Sequence, residues 1–181
     1  FEATVTTEIE TEDRSVTSKT DLTVDLSTGE YRMEILAPNR SAGDLTVVYE
    51  VLPVSANDCE GDPVFITLTI NPEPVMATNL DAEVCNDAPS GIIFNTNGTS
   101  VTAHNYTILS ITVDPGLTPD GANATTGPGQ NDDAIANDVF TNTTSGPLTV
   151  IYEVEPVSLA SCVGDPENIV LTVNPTPAVV S

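Results

Sequence analysis

The chain has 181 residues and carries 27 acidic side chains against four basic ones, a formal net charge of −23. That balance excludes nucleic acid as a partner, since phosphate binding relies on Lys and Arg displacing counterions, and it disfavours anionic membrane surfaces for the same reason. Trp is absent, Thr, Val, Asn, Asp and Pro are abundant, and no long run of helix-forming Ala, Leu, Glu and Lys occurs, so the composition points to strands and turns.

The basic residues are Arg14, Lys19, Arg32 and Arg40, and nothing after Arg40 is positive. Residues 41–181 therefore cannot form Lys or Arg ion pairs among themselves. So acidic a surface resists aggregation, repels itself and attracts screening cations. No apolar run approaches the roughly 18–20 residues a membrane helix requires, and no signal-peptide pattern opens the chain. Its start at Phe1, inside a strand-like alternation, fits an internal piece of a longer protein better than a processed terminus.

In chain order, Val5, Thr7 and Ile9, then Leu22, Val24 and Leu26, then Tyr31, Met33 and Ile35 recur with period two. Leu148, Val150, Tyr152 and Val154 follow the same rule later, as do Ile169, Leu171 and Val173. Alternation over short segments bounded by Gly, Asn, Asp and Pro predicts antiparallel strands with one buried face. Between these runs, the polar stretch 114–133 is too long for a plain hairpin and predicts a surface loop able to carry binding specificity.

The run Leu45 to Val75 reads LTVVYEVLPVSANDCEGDPVFITLTINPEPV, and Leu148 to Ala178 reads LTVIYEVEPVSLASCVGDPENIVLTVNPTPA. They align without a gap at an offset of 103, with 19 of 31 positions identical. A repeat of about 103 residues follows. At that offset Phe1 stands opposite His104, so the first copy lacks a counterpart to Met76–Ala103. The predicted domains are 1–74, the C-terminal part of a first repeat, and 75–181, a complete second repeat, divided at Asn71-Pro72-Glu73-Pro74. Each is predicted to be an all-β, Ig-like antiparallel sandwich of seven-strand type.

Little in the chain promises catalysis. His104 is the sole histidine and reads as an exposed strand-edge residue, because a triad or zinc site would need partners the chain barely offers. With no Lys after Lys19, lysine-dependent chemistry and Lys-Asn isopeptide crosslinks are excluded from the second repeat. Asp114, Asp120 and Glu153 could supply paired carboxylates, but a glycoside hydrolase also needs a cleft with aromatic platforms. Here the second copy has only Phe94, Tyr106, Phe140 and Tyr152, and Tyr152 repeats Tyr49 as a core or corner residue. The chain is read as no enzyme and as needing no cofactor. Asp132, Asp133 and Asp138 form the candidate Ca²⁺ set, on oxygen-ligand chemistry alone, against the reading of a solvated acidic loop; the EF-hand spacing is absent. Gly61-Asp62-Pro63 and Gly164-Asp165-Pro166 are predicted structural turns. Sequons at Asn39, Asn97, Asn105, Asn123 and Asn142 read as Asn-Thr-rich turns.

Three cysteines leave one over. Cys59 and Cys162 are equivalent in the repeat, so the arithmetic predicts a Cys85–Cys162 bridge, with Cys59 pairing to a cysteine upstream of Phe1. A Cys59–Cys85 bond is the alternative. Closing the ~77-residue loop would contribute roughly 3–5 kcal/mol on the loop-entropy account.

The strings Val84-Cys85-Asn86-Asp87, Asn95 to Val101, Val113-Asp114-Pro115-Gly116, Thr141 to Thr144, Leu148 to Val157, Gly164-Asp165-Pro166 and Val173-Asn174-Pro175 resemble PKD-like repeats. These recur in very large secreted proteins of Bacteroidetes, gliding-motility adhesins included. The resemblance covers the second copy throughout and the first from about Asp44. Residues 1–43 depart from it, with Asn39-Arg40-Ser41 where the second copy has Asn142-Thr143-Thr144. It implies export, a bacterial cell-surface location and a role in a filament or adhesin whose partners are neighbouring repeats or identical chains in a fibre. A glycan- or protein-binding module acting through 114–133 is the alternative, and a donor-strand-assembled fibre subunit is a second.

Overall fold

The computed structural model describes residues 3–9, 20–25, 30–35, 38–53, 57 and 59–177. Two compact units divide the chain, Phe1–Pro72 and Glu73–Ser181, with the break inside the Pro-rich stretch. The described residues contain strands and no helix.

In the first unit, β1 (Ala3–Ile9), β2 (Thr20–Asp25), β3 (Glu30–Ile35), β4 (Leu45–Pro53) and β5 (Val64–Ile70) follow in order. A three-stranded antiparallel sheet runs β1-β4-β5, and β2 and β3 form a separate hairpin ladder. On β4 the alternation sinks Val47 and Tyr49 and leaves Val48 and Glu50 outside, the pattern of a strand with one covered face.

The second unit holds β6 (Ala82–Cys85), β7 (Asn105–Val113), β8 (Leu117–Pro119), β9 (Gly127–Gln130), β10 (Phe140–Asn142), β11 (Leu148–Val157) and β12 (Glu167–Asn174). Five of them build one sheet, β6-β12-β11-β7-β9, while β10 pairs with β8 in a smaller one. Isolated bridges Met76↔Thr96 and Pro89↔Val139 tie in the extended segments between. The result is an all-β sandwich. Its core is aliphatic with a few rings: Val150, Tyr152 and Val154 of β11, Ile169, Leu171 and Val173 of β12, and Ile92, Phe94, Leu117, Ile135 and Phe140 cluster together. Phe94 and Tyr106 meet as a tilted ring pair, centroids 5.0 Å apart, a favoured geometry for two quadrupoles.

The two copies share their central ladder residue for residue. Leu45 faces Ile70 and Val51 faces Val64 in the first, as Leu148 faces Val173 and Val154 faces Glu167 in the second. The strand preceding this ladder differs in one respect. The β7–β11 register slips at Glu153/Val154, leaving Leu109 as the extra residue of a bulge, whereas β1 runs against β4 without a slip.

Two sequence expectations change. The sheet is not wholly antiparallel, since β6 pairs parallel to β12. Nor is 114–133 one surface loop, for it supplies β8 and β9, which add to β10 and to the edge of β7.

Candidate functional site

The most deeply set polar groups of the second unit brace the sandwich. Tyr152 projects from β11 into the core, and its hydroxyl donates to Asp138 Oδ2 at 2.8 Å. The other carboxylate oxygen, Oδ1, accepts the Ala124 amide at 2.8 Å. Asp138 is 2% exposed. Burial pushes its carboxyl above the ordinary range, against the opposing pull of the Ala124 amide and the Tyr152 hydroxyl. The Tyr152 phenol is raised in turn, by burial first and then by the hydrogen bond to Asp138 and its charge. In the first unit the matching position to Asp138 is Ile35, and the buried Tyr49 hydroxyl has no hydrogen-bond partner among the described residues.

A second brace occurs in both copies. Asn142 Nδ2 donates to the Val173 carbonyl at 2.8 Å and the Gly146 carbonyl at 3.0 Å, while its Oδ1 accepts from the Thr144 amide and hydroxyl. Asn39 does the same with the Ile70 and Gly43 carbonyls and with Ser41. Both asparagines are buried. Their Asn-x-Ser/Thr strings are thus internal corner ties. The stretch 1–43, set apart in the sequence comparison, carries the same device, because Arg40 replaces only the exposed middle residue.

A third brace sits where the chain enters the second unit. Gly164 is buried, donates its amide to the Pro156 carbonyl at 2.9 Å, and would carry a Cβ only 1.8 Å from the Pro74 carbonyl oxygen. The glycine is required by this close approach, and no hydrogen-bonded turn forms at Gly164-Asp165-Pro166 or at Gly61-Asp62-Pro63.

A cavity of about 310 Å³ opens in the second unit, lined among others by Phe94, Asn95, Thr96, His104, Tyr106 and Asp132. Asn95, Thr102, His104, Asn131 and Asp132 of its lining are exposed, while Phe94, Thr96 and Tyr106 are buried, so no open aromatic face awaits a sugar ring. Burial and, secondarily, the Asp132 charge raise the Tyr106 phenol. Of the 114–133 stretch only Asn131 and Asp132 reach this cavity. Asp114, Asp120 and Glu153 lie outside its lining. Asp114 Oδ2 instead accepts from the Thr149 amide and hydroxyl, which lower its pKa, and Glu153 Oε2 accepts from Ser110 Oγ at 3.0 Å.

The structure does not bring Cys85 and Cys162 together. Cys85 ends β6 opposite Asn174, while Cys162 lies beyond the far end of β11, its amide donating to Ser158 Oγ. From Leu148 to Val157 the sheet is about 30 Å long at strand rise, and a disulfide tolerates Cα separations of only about 7 Å. Both cysteines carry free thiols. Equivalence across the repeat identified which cysteines correspond, but a repeat offset carries no information about which end of a sheet each occupies. The candidate Ca²⁺ set is likewise dispersed. Asp138 turns inward and fills both oxygens with protein donors, Asp132 and Asp133 remain exposed, and no group of three metal-ligating side chains forms among the described residues.

The Asp138–Tyr152 brace was missed as such in the sequence, where Asp138 stood as a ligand candidate. The signal available was the repeat of Tyr49 at Tyr152 without a repeat of the acid. No helix among the described residues is long and apolar enough to cross a membrane.

The family model for the PKD-like domain matches residues 10–74 and 117–177, the corresponding part of each copy. It reaches well upstream of Asp44 in the first copy and leaves 75–116 of the second outside, so it is displaced from the stretch that carried the sequence resemblance. No curated protein and no solved structure matches the chain. With most of the chain matched, in both units, and an all-β sandwich in place, this protein belongs to the PKD-like domain family.

Proposed function

We propose that this chain is a structural segment of a long filament or adhesin on a bacterial cell surface, in which serial PKD-like sandwiches supply length and attachment, gliding motility being the process such filaments serve. One observation carries the reading. In the second unit the chain comes in at Pro74, against Gly164 and Pro156, and leaves at Asn174, beside Cys85. These points lie at opposite ends of β11 and β12, about 25 Å apart by strand rise. A repeat that admits its chain at one pole and releases it at the other extends when multiplied, and each copy contacts only its neighbours.

The remaining features agree with this role. The acidic surface keeps a long polymer soluble, and the deepest polar groups form internal ties. The partners are neighbouring repeats of the same polypeptide, with identical chains alongside in a fibre. Immunogold labelling of intact producing cells with an antibody to residues 75–177 tests it. Label strung along surface filaments is the expected result, and label confined to the cell interior would refute it.

The polar cavity at His104 and Asp132 favours one second reading, a module that binds a small hydroxyl-rich ligand such as a glycan. Reproducible hits of the 181-residue chain on a glycan array, lost in Asp132→Ala, would establish it.

A further inference from the structure

The cavity beside Tyr106 holds hydroxyls that the sandwich itself does not use. Tyr106 is 5% exposed and Thr96 7%, both line the cavity, and neither hydroxyl meets a hydrogen-bond partner among the described residues. A buried hydroxyl left without a partner is costly, and Tyr152, the other core phenol of this unit, has one in Asp138. The Tyr106 oxygen is not sealed as that of Tyr49 is, so whatever satisfies it comes through the cavity. Nor does Tyr106 belong to the scaffold the two copies share. It stands opposite Pro156 across the ladder, where the first unit sets Ala3 opposite Pro53.

Backbone bonds fix the surroundings of this hydroxyl. Phe94 donates its amide to the Asp132 carbonyl at 2.8 Å, and His104 donates its own to the Val157 carbonyl at 2.7 Å, while the Tyr106 ring packs on Phe94. The Asp132 carboxylate, exposed and the one acid of the lining, accepts from no group among the described residues. Burial first, and then the Asp132 charge, hold the Tyr106 phenol above its ordinary value, so it remains a hydroxyl beside a carboxylate.

That chemistry selects a class of ligand. No Lys or Arg follows Arg40, so nothing here meets an anion. A Ca²⁺ ion asks for about six to eight oxygens, and no three metal-ligating side chains converge among the described residues. One carboxylate beside uncommitted hydroxyl oxygens is instead an acceptor set for a cation that carries N–H donors. The side-chain amides of Asn95 and Asn131 in the same lining suit hydroxyls on the carrier of that cation better than the methylene stem of a lysine.

We infer that this cavity binds a hydroxyl-rich molecule by its ammonium group, which donates to the Asp132 carboxylate and to the Tyr106 and Thr96 oxygens. The ligand class is an amino sugar with its amine unblocked. The inference rests on the glycan reading of the cavity and deepens it, and it is independent of the filament reading.

The test titrates the full chain with glucamine and with sorbitol, a pair that differs only by ammonium in place of hydroxyl, and follows backbone amide shifts by NMR. Physiological salt screens the acidic surface at large. Saturable one-to-one shifts at Thr96, His104 and Asp132 are expected with glucamine, and sorbitol should bind at least about tenfold more weakly, the worth of a charge-assisted hydrogen bond. Asp132→Asn, which keeps the shape of the side chain, should bring the two within about twofold, and Tyr106→Phe should weaken glucamine about fivefold. Equal affinity for glucamine and sorbitol would overturn the inference and leave the glycan reading standing. Binding of neither, a preference that survives Asp132→Asn, or unsaturable shifts spread over acids throughout the chain would defeat it whatever a glycan array shows. Butylammonium, the same charge on a lysine-like stem, should bind more weakly than glucamine; tighter binding would make a protein lysine the ligand and rule out the amino sugar.

Discussion

Tyr49 and Tyr152 hold the same place in the repeat, yet removing their hydroxyls should have opposite effects. In Tyr152→Phe the buried Asp138 carboxylate loses a 2.8 Å donor and keeps only the Ala124 amide. A hydrogen bond to a charged group contributes about 1.5–3 kcal/mol, and the loss leaves a desolvated acceptor behind. For a unit of this size each kcal/mol moves the melting temperature by about 4–8 °C. In Tyr49→Phe nothing is broken among the described residues, and a buried unpaired hydroxyl is exchanged for hydrogen, so stability should hold or rise by up to about 1 kcal/mol. Because the chain has two units, a single transition cannot be assumed. Native-state hydrogen exchange read separately on β4 and β11 resolves them. Equal losses in the two variants would show that the Asp138 tie contributes nothing and would refute the reasoning.

Asp138 also sets a pH dependence. Its folded pKa is raised, so the contribution is fully present below the ordinary carboxylate value and is lost as pH rises through the folded value. Asp138→Asn should flatten that decline in β11 exchange measured from acid to neutral pH. Asn142→Ala, which takes its donor from the Val173 carbonyl and leaves that of Gly146 only the Thr144 hydroxyl, should cost about 2–3 kcal/mol by the same exchange measurement, and Asn39→Ala should destabilise β4–β5 comparably. Adding Ca²⁺ or a chelator should leave the melting temperature of the second unit unchanged in calorimetry, since no three metal-ligating side chains converge among the described residues. Proteolysis and mass spectrometry without reductant should recover no Cys85–Cys162 peptide, and both thiols should accept an alkylating reagent.

The strand pattern was legible because period two reports directly which face of a strand is covered. Val150, Tyr152 and Val154, named from alternation alone, are all buried, and the offset of 103 reproduces the central ladder pair for pair. What stayed hidden depends on direction and on distance in space. That β6 lies parallel to β12, and so puts Cys85 at the opposite end of the sheet from Cys162, is set by where the 75–103 run crosses the sandwich, and no local periodicity encodes it. The 114–133 stretch misled for a related reason. Strands of three and four residues with Gly and Pro inside them are too short to show an alternation, and they exist only because β10 and β7 offer edges to pair with.

The incoming pole deserves the most direct perturbation. Gly164 lies two residues past Cys162, and its amide holds the Pro156 carbonyl while Pro74 presses its own carbonyl against the Cα. Since Gly164 does not have a positive φ, backbone conformation alone does not demand glycine there, and the constraint is space. In Gly164→Ala the added methyl would meet the backbone oxygen of Pro74 at 1.8 Å, and backbone has no rotamer by which to yield. Either the Pro74–Val75 segment lifts, losing the Val75 amide bond to Ser100 Oγ, or the Pro156–Gly164 bond opens. Overpacking of this kind costs about 1–3 kcal/mol. Exchange should therefore accelerate at Val75 and Ala77 while the β11–β12 ladder, further along the sheet, stays protected. Were exchange to accelerate throughout the second unit instead, Gly164 would belong to the global fold, and the picture of a separately anchored incoming strand would be wrong.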